Sequence, residues 1–226
     1  MNEHDELAVG LAAGGVAERF IEPISRFGAL LLAENRTTNL TGAKTAAELV
    51  PHLLDSFTVV PYLRGRYVDI GSGGGLPAIP AAIASGCDVT LVESILKKAR
   101  FLERMLKEFD LAGRVVPLRA EVAARDESLR DHFDVGTARA VALAPTVAEL
   151  LLPLLAPGGT AILQRGALEE RERNAVRDAA LMLGAEAGDE IILDGERRLL
   201  FLNKRGETPI RFPRREGIPA KRPLCY

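Results

Sequence analysis

The 226-residue chain is 47% hydrophobic and 27% charged, a composition typical of a globular protein with enough apolar side chains for one continuous core. Its apolar runs are too short to cross a bilayer, and its acidic first residues lack the basic-then-apolar order of a secretory signal. We therefore expect a cytoplasmic protein, not bound to a membrane, and its net charge of −2 excludes a uniformly basic chain.

The first 63 residues predict a helical extension. Apolar side chains recur at three- and four-residue steps over residues 16–34, which indicates an amphipathic helix. Polar turn formers at residues 35–39 end it. Thr45 and Glu48 then form a capping-box pattern, which predicts a second helix to about Val60.

From Tyr67 onward, short apolar strands alternate with helices. The predicted strands are Tyr67–Ile70, Val89–Val92, Val115–Leu118, Phe133–Val135, Thr160–Leu163, Ile191–Leu193 and Leu199–Leu202. Three helices are predicted between or after these strands. The first begins after a cap at Ser94, the second begins near Pro145, and the third spans residues 167–183. This alternation predicts a Rossmann-like α/β fold with a mostly parallel sheet of seven strands, whose last two form an antiparallel hairpin around Asp194-Gly195.

The strongest chemical signal is the segment Asp69-Ile70-Gly71-Ser72-Gly73-Gly74-Gly75-Leu76-Pro77, between a strand and a helix. Open α/β sheets bind ligands outside their strand ends, and glycines there allow close approach of the backbone. Glu93 ends the next strand, 22 residues after Gly71, where a carboxylate can accept both hydroxyls of a ribose.

Two alternatives compete with a cofactor loop of this kind. A dinucleotide fingerprint requires glycine or alanine where this chain has Leu76, and Asp69 would repel a pyrophosphate. A purely structural glycine turn remains possible from the loop alone, although Glu93 argues against it. An adenosine ligand with a cationic sulfonium and no phosphate, as in S-adenosylmethionine, fits the residues better.

Two further positions lie after strands of the same predicted sheet. Ala120-Glu121 follows the third strand, where it can face an adenine ring, and Glu121 can alternatively cap the next helix. Arg139 follows the fourth strand and can contact cofactor or substrate, although a surface salt bridge is the commoner fate of one arginine.

The chain ends in a basic segment. Residues 196–226 contain nine basic and three acidic side chains, a balance of +6 that leaves −8 for the rest. From Gly206 onward, proline and arginine predict an extended tail, which charge alone assigns equally well to phosphate binding or to a solvated terminus. Cys87 and Cys225 lie in no metal-ligand or disulfide pattern, so we expect two free thiols and no metal.

From about Asn35 to Leu224 the sequence resembles the RsmG (GidB) family of bacterial methyltransferases. The matching segments are Asn39-Leu40-Thr41, His52-Leu53-Leu54-Asp55-Ser56, the glycine segment 69–77, Lys98-Ala99-Arg100-Phe101-Leu102, Arg139-Ala140 and the ending 213–224. The glycine segment is generic to methyltransferases, whereas the His-Leu-Leu-Asp-Ser segment and the basic ending are specific. One departure is Gln164-Arg165-Gly166, where the family usually has Lys-Gly.

The resemblance implies a class I methyltransferase that uses S-adenosylmethionine to methylate N7 of a guanine in 16S ribosomal RNA near the decoding centre. It implies cofactor contacts at Gly71, Leu76, Ala120, Glu121 and Arg139, with Gly73 and Glu93 as neighbours. The resemblance also implies that the protein's partner is 16S rRNA or the small ribosomal subunit, and that the basic tail binds RNA.

The resulting domain prediction is a helical extension at 1–63, a cofactor-binding domain at 64–205 and a basic tail at 206–226, and we expect a monomer. His52 and Asp55, three apart on one helical face, can pair structurally or contact cofactor or RNA. Guanine N7 has a free lone pair, so we predict no catalytic acid or base. The competing functions are a methyltransferase of small molecules or proteins, an NAD-dependent oxidoreductase and a non-catalytic RNA-binding module.

Overall fold

The computed structural model describes residues 2–226. Its helices are α1 (Glu3–Ala13), α2 (Glu18–Asn35), α3 (Ala46–Phe57), α4 (Ala78–Ser85), α5 (Leu96–Glu108), α6 (Ala120–Ala123), α7 (Ala144–Leu151), α8 (Glu170–Met182) and α9 (Ile218–Lys221). Its strands are β1 (Arg66–Ile70), β2 (Asp88–Val92), β3 (Gly113–Val116), β4 (Phe133–Arg139), β5 (Leu155–Arg165), β6 (Ala185–Asp194) and β7 (Arg197–Lys204). No helix within residues 2–226 is both long enough and apolar enough to cross a membrane.

The strands form a seven-stranded sheet in the order β3-β2-β1-β4-β5-β7-β6. The pairs β2–β3, β1–β4 and β4–β5 are parallel, whereas β5–β7 and β6–β7 are antiparallel. The predicted fold class is therefore confirmed: a mostly parallel Rossmann-like sheet, a terminal antiparallel hairpin and helices before the first strand.

The chain divides into two compact units. The first comprises the chain up to Leu63 together with Ser72–Pro117, and the second comprises Arg64–Gly71 and Leu118–Tyr226. In the first unit the three N-terminal helices bury Leu7, Leu31 and Leu53 completely. The predicted helices α2 and α3 are confirmed, although α3 ends at Phe57 and is followed by a short 3₁₀ helix at Val60–Tyr62.

Helix α1 was not predicted. The sequence features that indicate it are a capping residue and acidic side chains at its N-terminus. The side chain of Asn2 accepts a hydrogen bond from the Asp5 amide at 2.9 Å, and Glu3, Asp5 and Glu6 follow it. An amide-oxygen cap and acidic side chains both stabilise a helix N-terminus. The apolar residues of α1 do not follow a clear helical stripe, so periodicity gave no indication of it.

The predicted cap at Ser94 is wrong. Helix α5 begins one residue later, after Ile95, whose own side chain makes no capping bond. The Ile95 amide donates instead to Glu93 Oε1 at 2.7 Å, so the carboxylate at the end of β2 satisfies the turn that leads into the helix. At α3 the predicted capping residue is correct, because Thr45 Oγ1 accepts from the Glu48 amide at 3.3 Å.

The C-terminal segment from Gly206 onward packs within the second unit, and the prediction that it is extended throughout is wrong. It contains the short helix α9, and Thr208, Phe212 and Leu224 are buried. Arg130 donates to the carbonyls of Phe212 and Thr208 at 2.9 and 2.6 Å. Because extended backbone cannot satisfy its own carbonyls, these bonds hold the segment in place.

Two fully buried charged side chains, those of Glu149 and Lys204, complete this docking. The Glu149 side chain is fully buried and forms a bidentate pair with Arg214, with Nη2···Oε2 at 2.6 Å and Nε···Oε1 at 2.9 Å. The Lys204 ammonium, also fully buried, donates to the Leu152 carbonyl at 2.8 Å and to the Thr208 hydroxyl. Burial lowers the pKa of Lys204 from 10.5 to about 8, although Asp131 opposes this shift.

Candidate functional site

The turn after β1 consists of glycines in conformations that other residues avoid. Gly71, Gly73 and Gly75 have φ values of +66°, +53° and +86°. A Cβ atom on Gly71 would lie only 2.8 Å from Cγ2 of Val141. Both the backbone conformation and the close contact therefore require glycine at position 71.

Glu93 is placed beneath this turn at the end of β2. Its side chain is 6% exposed, Oε2 accepts from the Gly73 amide at 2.9 Å, and Oε1 accepts from the Ile95 amide at 2.7 Å. A carboxylate has about four acceptor positions, so these two bonds leave capacity for further donors. The structure thus brings Gly73 and Glu93 together and fixes the carboxylate before any ligand binds.

The loop after α2 packs directly against the glycine turn within the first unit. A Cβ atom on Gly74 would lie 2.9 Å from the Leu40 carbonyl oxygen and 3.0 Å from Leu31 Cδ1. Leu76 is half-buried, and Pro77 is the N-cap of α4, immediately before the first helical residue. Proline is common at the start of a helix because its fixed φ suits the first turn and no intrahelical partner is lost with its missing N–H.

In the second unit, Asp69 belongs to a buried polar chain. The Thr137 hydroxyl donates to Asp69 Oδ1 at 2.5 Å, and the Tyr67 and Thr137 hydroxyls lie 2.6 Å apart. All three side chains are at most 1% exposed. These bonds join β1 to β4 and fix the carboxyl end of β1, immediately before the glycine turn.

Ala120 and Glu121 form the first turn of α6, whose N-cap is Arg119. Glu121 is 6% exposed, and its Oε1 accepts from the Gly217 amide at 3.0 Å. Beside it, Arg119 Nε lies 3.1 Å from Glu216 Oε1. The Glu121 side chain therefore holds the C-terminal segment, a role that the sequence did not predict.

Arg139 is the last residue of β4 rather than the residue after it, and it is half-buried. Ala140 follows with φ +54°, a left-handed conformation that is uncommon outside glycine. On α3, His52 and Asp55 are both half-buried.

Comparison with known proteins identifies the family. Residues 21–200 match the family model GidB, described as rRNA small subunit methyltransferase G. Ribosomal RNA small subunit methyltransferase G of Rubrobacter xylanophilus is 42% identical over 211 residues, covering 87% of this chain and 81% of that protein. Its namesake in Deinococcus radiodurans is 39% identical and covers 91% and 86%. The chain belongs to the rRNA small subunit methyltransferase G family.

Solved structures outside this family share the fold. A ribosomal protein L11 methylase from Lactobacillus delbrueckii subsp. bulgaricus aligns with a TM-score of 0.54 at 13% identity, covering 70% of this chain and 80% of that one. A methyltransferase from Pyrococcus furiosus aligns at 0.52 and 16%, covering 80% and 100%. The predictions of family and of a methyltransferase enzyme are confirmed, and the oxidoreductase alternative is not favoured.

Arg165 stands where the resemblance to the methyltransferase G family predicts a lysine. Its guanidinium donates to the Ala142 carbonyl and, at 2.7 Å, to Glu172 Oε1, which also accepts from the Ala144 amide at 2.7 Å. The two charged side chains are 17% and 9% exposed. The wider arginine therefore fixes the loop after β4, for which a lysine has fewer donors.

Most basic residues of the C-terminal region are already paired. Arg197, Arg198, Arg205 and Arg214 form ion pairs with carboxylates, and Lys204 is buried. Four others are exposed and, within residues 2–226, have no carboxylate within 4 Å. We call Arg211, Arg215, Lys221 and Arg222 the tail cations. Four of the nine basic side chains of residues 196–226 therefore carry a charge that no described carboxylate neutralises.

Cys87 and Cys225 are free thiols, as predicted, the first half-buried and the second exposed. Although Cys225 is exposed, partial desolvation of its thiol raises the pKa. In the described part of the chain, no group of three or more His, Cys, Asp or Glu side chains is arranged to hold a metal ion.

Proposed function

We propose that this protein transfers a methyl group from S-adenosylmethionine to N7 of a guanine in 16S rRNA, near the decoding centre. Membership of the methyltransferase G family supports the reaction class. The observation that carries the cofactor assignment is the Glu93 carboxylate, held beneath the glycine turn by the Gly73 amide at 2.9 Å.

The residues present fit S-adenosylmethionine. The exposed Gly71 offers backbone without a side chain, and the free acceptor positions of Glu93 suit the two hydroxyls of a ribose. We propose that these residues, with Gly73, Leu76, Ala120, Glu121 and Arg139, contact the cofactor. Because the Glu121 carboxylate already holds Gly217, its contact is expected through the backbone of the α6 turn.

Catalysis then depends on placement. S-adenosylmethionine supplies an electrophilic methyl group, and guanine N7 offers a lone pair and carries no proton. The chain therefore needs to hold the base in line with the methyl group, without a catalytic acid or base. Glu93 and the glycine turn fix one side of this arrangement, and their bonds are formed in advance, as preorganised sites require.

RNA is proposed to bind partly through the tail cations. Arg211, Arg215, Lys221 and Arg222 can contact phosphates, whereas the paired arginines nearby hold the protein together. Deleting residues 206–226 would therefore disturb folding as well as RNA binding. Replacing only the four tail cations with alanine is the appropriate test, and it should weaken RNA binding while the ion pairs of the paired arginines stay in place. We further propose that the protein acts as a cytoplasmic monomer.

The test is transfer of a tritiated methyl group from S-adenosylmethionine to small ribosomal subunits that lack the modification. The wild-type protein should label 16S rRNA, and Glu93→Gln should lose cofactor affinity because the amide replaces one acceptor oxygen with a donor facing an N–H group. Glu103→Gln, on the first unit's helix α5, is the matched control and should retain activity. Labelling of a small molecule or a ribosomal protein, but not of RNA, would refute the proposed substrate.

A further inference from the structure

The first unit contains a polar groove that no proposed cofactor contact uses. It lies between the end of α2 and the start of α3, has a volume of 690 Å³, and is lined within residues 32–44. Ligand pockets commonly occupy about 300–1,000 Å³, so the groove is large enough for part of a nucleotide chain. Its lining includes the cations Arg36 and Lys44, three hydroxyl or amide side chains at Thr37, Asn39 and Thr41, and no carboxylate.

Asn35 makes the wall of this groove rigid. Its Nδ2 donates to the carbonyls of Thr41 and Ala43, both at 2.9 Å. Its Oδ1 accepts from the amides of Leu40 and Thr41 at 2.8 and 3.0 Å. An asparagine side chain has two donors and two acceptor lone pairs, so one residue uses its full capacity to fix one loop.

The charged and polar groups along the groove are available to a ligand. The Lys44 side chain is exposed and, among residues 2–226, its ammonium has no carboxylate within 4 Å. The nearby Glu48 carboxylate accepts from the Lys44 backbone amide at 2.7 Å. Arg36 is 71% exposed and pairs with Glu3 at 3.0 Å. An exposed pair of this kind contributes about 0–1 kcal/mol, so a phosphate can replace Glu3 at little cost. The exposed Asn39 amide can add a neutral donor.

The groove also adjoins the proposed methyl-donor site. Leu40, in the loop that Asn35 fixes, places its carbonyl oxygen 2.9 Å from the Cβ position of Gly74 in the glycine turn. A nucleotide chain bound along residues 36–44 would therefore pass beside the glycine turn, whose backbone we propose contacts the cofactor. Contacts to phosphates fix the register of a nucleic acid without reading its bases.

We propose that Arg36 and Lys44 bind the phosphodiester backbone of the RNA substrate in this groove, next to the nucleotide to be methylated. The inference rests on the proposed function, because it assumes an RNA substrate. It adds a second RNA contact, in the first unit, to the tail cations of the second. Arg36 and Lys44 are thus positioning residues that act through phosphates.

The test compares the wild-type protein with the variant Arg36→Ala/Lys44→Ala. Affinity for a 16S rRNA transcript and for small ribosomal subunits is measured at several salt concentrations. Log K falls with log salt, and each lost phosphate contact should make this negative slope shallower by about 0.7–0.9, which at about 0.1 M salt weakens binding about five- to eightfold. Calorimetric affinity for S-adenosylmethionine and the melting temperature should stay at wild-type values.

Lys107→Ala is the matched control, because it removes one exposed lysine from α5 of the same unit, outside the groove. An unchanged slope in the double variant, or a change no larger than that of the control, would overturn the groove assignment. A loss confined to subunits, with naked RNA bound as before, would assign the groove to a ribosomal protein and also overturn it. Failure of the wild-type protein to methylate rRNA would instead refute the proposed function.

Discussion

Docking of the C-terminal segment predicts an asymmetric response to removal of its central ion pair. Arg214→Met leaves the Glu149 carboxylate, whose side chain is fully buried, without its guanidinium. Loss of one partner from a buried pair typically costs about 3–5 kcal/mol. Because 1 kcal/mol corresponds to about 2–4 °C in a chain of this size, the melting temperature should fall by about 10 °C.

Substitution of the other partner, Glu149, should lower the free energy of unfolding by less. In Glu149→Gln, Arg214 is 28% exposed, can reach water and keeps its bond to the Arg222 carbonyl at 2.7 Å. We expect a loss of about 1–2 kcal/mol. The double variant should be more stable than the sum of the two losses predicts. Urea unfolding followed by circular dichroism measures all four proteins. Two equal single losses below about 1 kcal/mol would refute a structural role for this ion pair.

Three further predictions concern the cofactor turn and two titratable groups. Gly71→Ala should weaken S-adenosylmethionine binding at least about tenfold by calorimetry, whereas Gly86→Ala, with a similar φ of +70° and open space around it, should leave the affinity unchanged. Between pH 8 and 10.5 the unfolded chain binds the Lys204 proton and the folded chain does not, so the free energy of unfolding should rise with pH by about 3 kcal/mol. Lys204→Met should remove that rise in urea titrations; an equal rise in the variant would contradict the assignment. The hydrogen bond from Arg173 lowers the pKa of Glu190 from 4.5 to about 2, so the stability it contributes is complete above pH 4.5 and is lost as the pH falls towards 2. Because the Glu190 side chain is 22% exposed and solvent partly screens it, Glu190→Gln should flatten this acid loss by about 2 kcal/mol, less than the full shift corresponds to. An unchanged acid-unfolding curve would count against this assignment.

The sequence predicted those parts of the fold that depend on local patterns. Apolar periodicity located α2, α3 and the strands, and alternation of strands with helices predicted the parallel sheet. The glycine turn and Glu93 were identifiable because each follows a strand at a recognisable spacing, and the structure joins Glu93 to Gly73 at 2.9 Å. The capping-box pattern of Thr45 and Glu48 also predicted the N-cap of α3 correctly.

The features that the sequence did not reveal depend on contacts between distant residues or on competition between neighbours. Glu121 and Gly217 are separated by 96 positions, so no local pattern connects them. Ser94 is a good capping residue, but the Glu93 carboxylate reaches the Ile95 amide instead. The composition shows that the C-terminal segment is positively charged, but it could not show that Arg214 forms an ion pair with the buried Glu149.

We propose that this chain installs the methyl group on guanine N7 of 16S rRNA from a cofactor held by Glu93 and the glycine turn. The decisive experiment is to map N7-methylguanosine in 16S rRNA from a strain that lacks the protein. One N7-methylguanosine near the decoding centre should be missing, and the wild-type gene, but not Gly71→Ala, should restore it. Full methylation at every N7 position in the deletion strain would show that this protein does not install the group.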